Sequence, residues 1–313
     1  MKKVLVFGAS KGGESFLKNA QGAYECLAFV DNDTNKWGKT LTNKKIISPD
    51  EISDYIYDEI VLASYWASSI KKQLIQKYNI EETKIYTPPK EMLMDICKPF
   101  EDEGTFLFAT EVIDLFFQEA IKQNIPLYVN NGTLLGIIRD ASILRWDSDI
   151  DFAMLYEDSK KLDMEKFITE VLKKINLANT DVKVIKITDA QNRVLAYKID
   201  FAKDTLIPFP ISIEFMEIEG DYVIEMVSFG QFKVPKKHIL SLERYRYNNY
   251  EVNIPNMVDK YLAFIYGDDY KIPKKNITFN DYANYNEVCA DTILNANVEQ
   301  KEIFRIKQGV ECE

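Results

Sequence analysis

The sequence predicts an α/β protein in two domains, the first built on an open parallel sheet. Over residues 1–87, short apolar runs bounded by turn residues alternate with helical periodicity, the rhythm of successive strand–helix–strand units. Thr87-Pro88-Pro89-Lys90 then breaks that rhythm. A chain of 313 residues is also longer than one domain of ordinary size. The expected divisions are a first domain over 1–87, a linker over 88–103 and a second domain over 104–313.

Lys3-Val4-Leu5-Val6-Phe7 is a continuous apolar run ending at Gly8, as a strand buried on both faces requires. The start is basic then apolar, as in a signal peptide, but the run is too short and leads into a glycine turn. Gly8-Ala9-Ser10-Lys11-Gly12-Gly13-Glu14 opens a helix expected to reach Ala20. Strands follow at 26–30, 59–64 and 84–86, with a helix near 68–78. Asp31 comes about 20 residues after the glycine turn, where Rossmann folds carry a ribose-binding acid. The dinucleotide fingerprint is interrupted, because Ser10 stands where a middle glycine lets a pyrophosphate approach; Gly12 compensates in part. Val30-Asp31-Asn32-Asp33 and Lys36-Trp37-Gly38-Lys39 resemble the Rossmann-like domains attached to bacterial polysaccharide-biosynthesis enzymes. That resemblance implies a docking or sugar-nucleotide-sensing module. A bare scaffold and a nucleotide site both stay open, while hydride chemistry is not expected.

Beyond the linker, Phe106, Phe108, Val112, Ile113, Leu115, Phe116 and Ile121 suit a helix over 105–123 packed on a sheet. Pro126 precedes the stretch that organises the domain. Tyr128-Val129 is a short strand, Asn130-Asn131-Gly132 a turn, and Thr133 onward a helix. A loop through Arg145 and Trp146 leads to Asp147-Ser148-Asp149-Ile150-Asp151-Phe152. Strand side chains alternate faces, so Asp149 and Asp151 project together while Ile150 and Phe152 enter the core. Two close anions call for a hard divalent cation between them. The Gly132-Thr133 turn offers unpaired backbone N–H groups to a phosphate. Together these suggest phosphoryl or nucleotidyl transfer; the plain alternative is solvated polarity at a strand edge.

Asn131-Gly132-Thr133-Leu134-Leu135-Gly136-Ile137-Ile138-Arg139, followed by Arg145-Trp146-Asp147-Ser148-Asp149-Ile150-Asp151, resembles the signature of the LicD/fukutin phosphotransferase family. Asn131 stands where that family often has Gly, and Arg145 where it often has Pro. Tyr266-Gly267-Asp268-Asp269-Tyr270 is similar to the family's C-terminal block. The resemblance implies a nucleotidyltransferase-like α/β core. It further implies transfer of phosphocholine, phosphoethanolamine or a polyol phosphate from a CDP-linked donor, such as CDP-choline, to a glycan or lipid-linked sugar acceptor. Mg²⁺ or Mn²⁺ would be held by Asp149, Asp151 and Glu214. Gly132 and Thr133 would cradle phosphate oxygens, and Arg139 and Arg145 would add positive charge. Asp147 would orient the metal shell, and Trp146 would stack on a base or pack. Two other classes stay open: a nucleotidyltransferase that releases pyrophosphate, and a non-catalytic scaffold for glycan assembly.

Further along, 164–175 reads as helix and 182–188 and 193–198 as strands. Ile211–Glu219 followed by Tyr222-Val223-Ile224 reads as a hairpin, with Glu214 on its polar face beside Ser212. Glu214 also matches an acidic residue of the family's pattern, and is read as a third carboxylate and as base for the acceptor hydroxyl. A helix over 256–266 stops at Gly267. The tail after Asn276 carries no interpretable motif.

Hydrophobic content of 46% is enough for a sizeable core, and no apolar run reaches the 18 residues of a transmembrane helix. Contact with membrane-bound glycan machinery is therefore expected to be peripheral. A net charge of −10 argues against nucleic-acid binding, although a few arginines and a metal can reverse the field in one pocket. Cys26, Cys97, Cys289 and Cys312 are far apart, which suggests reduced thiols in a cytoplasmic protein. His238, the one histidine, is read as a surface helix or turn residue.

Overall fold

The computed structural model describes every residue except 65, 95–97, 178, 226–230, 275–277, 279–280, 287–297 and 308–313. Cys97, Cys289, Cys312 and much of the tail lie outside the described residues. The chain divides into two compact units, Met1–Ile96 with Ile272–Glu287, and Cys97–Lys271 with Val288–Glu313. The stretch expected as one domain over 104–313 is thus interrupted. Within the first unit Lys90 Nζ donates to the Tyr282 hydroxyl at 2.6 Å and sits 5.0 Å from its ring centre. The expected linker is itself partly structured, with 3₁₀ turns at Lys90–Leu93 and Pro99–Glu101.

In the first unit, β1 (Lys2–Phe7), α1 (Lys11–Asn19) and β2 (Tyr24–Val30) are followed by β3 (Thr40–Leu41), β4 (Lys44–Ile47), β5 (Glu59–Leu62), α2 (Ala67–Tyr78) and β6 (Ile85–Tyr86). The sheet order is β3-β4-β2-β1-β5-β6, parallel from β4 onward. Alternate residues of β1 serve opposite faces, as the unbroken apolar run requires. Val4 and Val6 pack with Phe16 of α1, and Leu5 and Phe7 with Ile70 and Leu74 of α2. This is the Rossmann-like arrangement expected from the sequence. The β3–β4 hairpin was not visible in the pattern, because its turn uses Thr42 and Asn43 at positive φ rather than an Asn-Gly pair.

The glycine turn and Asp31 hold each other in place. Asp31 Oδ2 accepts from the Ala9 N–H and from Lys36 Nζ, both at 2.9 Å. A Cβ on Gly8 would lie 2.4 Å from the Ala63 carbonyl oxygen, and Gly8 has φ +121°. Asp31, placed where Rossmann folds carry a ribose-binding acid, is therefore bonded to the loop itself, and this glycine serves close packing of backbone on backbone.

The second unit opens with α3 (Glu103–Lys122), capped by Asp102, whose carboxylate accepts from the Thr105 N–H. Next come β7 (Tyr128–Val129), α4 (Asn131–Asp140), β8 (Ile150–Leu155), α5 (Tyr156–Ser159), α6 (Met164–Leu172), β9 (Thr180–Thr188), β10 (Val194–Lys203) and β11 (Leu206–Glu219). β12 (Tyr222–Glu225), β13 (Gln231–Pro235), β14 (Glu243–Tyr247), β15 (Tyr250–Ile254), α7 (Val258–Tyr266) and a strand at Glu299–Lys307 complete it. The sheet runs β14-β15-β7-β8-β11-β10-β9 and ends on the Glu299–Lys307 strand. β8 and β11 are parallel neighbours at its centre. Phe116 and Phe117 of α3 pack on Phe152 with ring centres 5.4 and 5.8 Å apart, so α3 covers the apolar face of β8. The opposite face carries the acidic residues.

β11 begins five residues before the expected start. Pro208 and Pro210 hid that extension, since proline cannot donate to a ladder. They are tolerated because β8 reaches only as far as Ile211, which leaves β10 as the single neighbour there. His238 also departs from expectation: it is 2% exposed, in a 3₁₀ turn, with Nδ1 2.7 Å from the Asn256 carbonyl oxygen. That bond and the Tyr261 ring 5.7 Å away give the imidazole a seat inside the fold. Burial, its largest influence, holds His238 below the ordinary histidine range.

Candidate active site

The site is built where α4 meets the head of β8. Asn131 has φ +46°, a left-handed conformation that asparagine and glycine adopt more readily than other residues. This explains how Asn131 can stand where the resemblance leads one to expect glycine. The Leu134 N–H bonds the Asn130 carbonyl at 2.9 Å, and the N–H groups of residues 131–133 precede that first helical bond. Two contacts tie this turn to β8: the Asn130 N–H donates to the Asp151 carbonyl at 3.0 Å, and the Asp151 N–H donates to Thr133 Oγ1 at 2.9 Å. Thr133 is 2% exposed, so its hydroxyl serves the fold, leaving its backbone N–H as what could face a phosphate.

Gly132 has a sharper role than the turn alone suggests. A Cβ there would lie 2.1 Å from Asp147 Oδ2, so only glycine lets this carboxylate settle against the helix start. An anion at that position is favoured by the aligned peptide dipoles. Gly136 answers to a different neighbour, the Ser142 carbonyl oxygen 2.5 Å from its would-be Cβ.

The carboxylates gather on one face. Ser212 of β11 lies opposite Asp151 of β8, and its hydroxyl donates to Asp151 Oδ1 at 2.8 Å. Glu214, two residues on, lies opposite Ala153 and shares that face. Asp149 accepts from the Ser148 hydroxyl at 3.2 Å. Glu225 was not singled out in the sequence. It pairs with Met216 across β11–β12 and accepts from Asn131 Nδ2 at 3.5 Å. Its only sequence signal was its place at the end of the returning hairpin strand.

The crowding disfavours the charged forms. Burial, then Asp149, Glu214 and Asp147, push the Asp151 carboxyl well above its ordinary range; the Ser212 bond opposes them. Burial, Glu225 and Asp149 do the same to Glu214. Burial and Asp151 push Glu225 up to about 7. Among the described residues Glu214 Oε2 is buried without a hydrogen-bond partner.

This donor set fits a hard cation in two respects: it is all oxygen, and it includes a buried carboxylate oxygen with no partner. Among the described residues, however, no three His, Cys, Asp or Glu side chains are gathered closely enough to hold an ion. The trio expected from the sequence, Asp149, Asp151 and Glu214, is therefore brought to one face but not preassembled as a shell.

The expected arginines are placed differently. Arg145 donates to Glu103 Oε2 at 2.7 Å and lies 3.5 Å from the Phe106 ring centre, so it fastens the loop to α3. Arg139 makes two bonds to Asp140, at 2.9 and 2.8 Å, and its guanidinium lies 5.5 Å from the Trp146 ring. It stands at the far end of α4, about 10 Å along the helix from Gly132. Trp146 is 48% exposed and available for stacking. A groove of about 520 Å³ beside Tyr156, Met164, Arg193 and Tyr197 is lined by none of the four carboxylates.

The family model described as LicD/FKTN/FKRP, nucleotidyltransferase domain, matches residues 124–257, from the approach to β7 through β15. Over residues 124–257 the chain is similar to the LicD/FKTN/FKRP domain family. The LicD-type segment contains α4, β8, β11 and all four carboxylates, and the family indicates a transferase with a glycan-related role. A second family model, described as C2185-like, N-terminal, matches residues 1–86. No curated protein matches the chain. Solved structures similar to it include UDP-D-quinovosamine 4-dehydrogenase from Vibrio fischeri, at 23% identity over 28% of this chain and 75% of that chain, with a TM-score of 0.22. The WlbA dehydrogenase from Bordetella pertussis, solved with NADH and UDP-GlcNAcA, matches at 12% identity over 74% of this chain and 78% of that one, with a TM-score of 0.23. At such scores neither likeness bears on function. No helix among the described residues is long and apolar enough to cross a membrane.

Proposed function

We propose that the LicD-type segment is a metal-dependent phosphotransferase. It moves a phospho-alcohol, such as phosphocholine, phosphoethanolamine or a polyol phosphate, from a CDP-linked donor to a sugar hydroxyl in surface-glycan synthesis. The main support is the sheet face where Asp149, Asp151, Glu214 and Glu225 converge beside the start of α4. Asp149 and Asp151, with Glu214 or Glu225, are the residues that would hold Mg²⁺ or Mn²⁺. Such an ion supplies neutralisation of charge on the diphosphate and on departing CMP. The backbone at Gly132 and Thr133 receives phosphate oxygens. Asp147 competes for the same helix start, so its displacement on donor binding is part of the proposal. Glu214, in its ionised form, takes the proton of the acceptor hydroxyl as that oxygen bonds phosphorus and the bond to CMP breaks. Trp146, with Arg139 on its ring, offers a stacking surface at the rim. Arg145 acts on the scaffold.

The first unit is proposed as a docking or sugar-nucleotide-sensing module without hydride chemistry. We place the protein on the cytoplasmic side, in peripheral contact with membrane-bound glycan machinery. The family description favours a second reading, attack at an α-phosphate with release of pyrophosphate. Incubation with CDP-choline, CDP-ethanolamine and CDP-glycerol plus Mg²⁺ separates the two. CMP without pyrophosphate is the expected product, and pyrophosphate would mark the second reading.

A further inference from the structure

Tyr128 is one of the most deeply buried side chains of the LicD-type segment, 1% exposed, and among the described residues its hydroxyl has no hydrogen-bond partner. It lies opposite Ala153 across β7–β8, and Ala153 lies opposite Glu214 across β8–β11. Register partners present their side chains to the same face, so Tyr128 and Glu214 flank Ala153 on the carboxylate side. Alanine puts only a methyl between them. Tyr261 makes a useful contrast, because its hydroxyl donates to Asn130 Oδ1 at 2.7 Å. Burial, then Tyr261, Glu225 and Glu214, hold the Tyr128 phenol well above its ordinary range, so it stays a donor.

One face thus carries, among the described residues, an unpaired buried phenol and an unpaired buried carboxyl oxygen on either side of one small residue. Buried polar groups in folded proteins nearly always find partners. A polyhydroxylated ligand suits both, because each hydroxyl can donate and accept. We propose that Tyr128 and Glu214 together seat the acceptor: the phenol donates to one hydroxyl oxygen of a saccharide while Glu214 receives the O–H of a neighbouring hydroxyl. The inference rests on the phosphotransferase reading for its reaction, but not for the chemistry of the seat.

The test uses the full chain and Tyr128→Phe, which keeps the ring and removes only the hydroxyl. With CDP-choline as donor and methyl α-glucoside as acceptor probe, KM for the glucoside should rise about 3–10-fold, the worth of one neutral hydrogen bond. The KM for donor should not change. An unchanged glucoside KM would overturn the proposal. Thermal unfolding judges it independently of any turnover. Tyr128→Phe should leave the Tm within about 1 °C of the parent or raise it, while Tyr261→Phe, which breaks a made bond, should lower it by about 2–6 °C. A drop in Tyr128→Phe as large as that in Tyr261→Phe would mean that the hydroxyl is satisfied within the protein, and the seat would fall. If the parent releases CMP from no CDP-alcohol, the phosphotransferase reading fails and the unfolding comparison alone decides the seat.

Discussion

Gly132 and Gly136 stand one turn apart in α4, and replacing each with alanine should produce opposite phenotypes. At Gly132 the obstacle is the end of a side chain, Asp147 Oδ2 at 2.1 Å from the new Cβ. Moving that oxygen out to ordinary contact near 3.4 Å shifts it by at least about 1 Å, which a carboxylate does by rotation. The fold loses little, and alanine returns about 0.5–1 kcal/mol of helix propensity. The methyl, however, fills the seat at the helix start that Asp147 or a donor phosphate takes. A misplacement of about 1 Å at a reacting centre costs on the order of 10²-fold in rate. At Gly136 the obstacles are backbone, the Ser142 carbonyl oxygen at 2.5 Å and the Leu144 nitrogen at 3.0 Å. The α4–β8 loop must then move, at about 1–3 kcal/mol. CMP release at saturating Mg²⁺, read beside thermal unfolding by circular dichroism, checks both variants. Gly132→Ala should unfold like the parent and turn over about 10²-fold more slowly; Gly136→Ala should lose several degrees of Tm. Parental turnover in Gly132→Ala would refute the placement of the donor at this helix start.

Asp151→Asn should abolish most transfer yet raise the Tm at neutral pH, because burial among other carboxylates disfavours its charged form; a fall in Tm contradicts the crowding. Glu214→Gln as a base should slow turnover by roughly 10²–10⁴-fold with unchanged Mg²⁺ dependence; rescue by added metal would make it a ligand instead. Asp114 of α3 is pushed up to about 6 by burial, and its Oδ1 has no partner. Its folded form therefore holds a proton that the unfolded chain, titrating near pH 4, has lost, so stability falls as pH rises from about 4 to 6. Asp114→Asn should be more stable than the parent by about 1–2 kcal/mol above pH 6, discounting for partial exposure, with the gap closing towards pH 4; a constant gap in urea titrations contradicts this. The first unit should neither bind NAD⁺ tightly nor reduce it, since Asp31 is bonded to Ala9 and Lys36; submicromolar NAD⁺ binding by calorimetry would count against that.

The elements whose sequence carried a period were legible. The unbroken run of β1, the stripe of α3, and the alternation around Asp151 and Glu214 each specify a buried face, and the structure places those faces as expected. What escaped reading depended on partners distant in sequence. Glu225 sits 74 residues beyond Asp151, and only the β11–β12 register returns it to the site. The roles of Arg139 and Arg145 came from the family resemblance, which carries no information on local partners; Asp140 and Glu103 bind their guanidinium groups. His238 had no pattern around it to announce burial; the Asn256 carbonyl supplies what makes the inside tolerable. Asp31 matched a ribose-binding position by spacing alone, whereas its hydrogen bonds depend on where the Gly8 turn folds back.

The central claim, that the carboxylate face transfers a phospho-alcohol, is tested most directly by product analysis of the full chain with CDP-choline, CDP-ethanolamine and CDP-glycerol, with and without Mg²⁺. The account predicts CMP release from at least one donor, dependent on Mg²⁺, without pyrophosphate, and lost in Asp149→Asn and Asp151→Asn. Pyrophosphate as the product, or CMP release that persists in both variants, would contradict it.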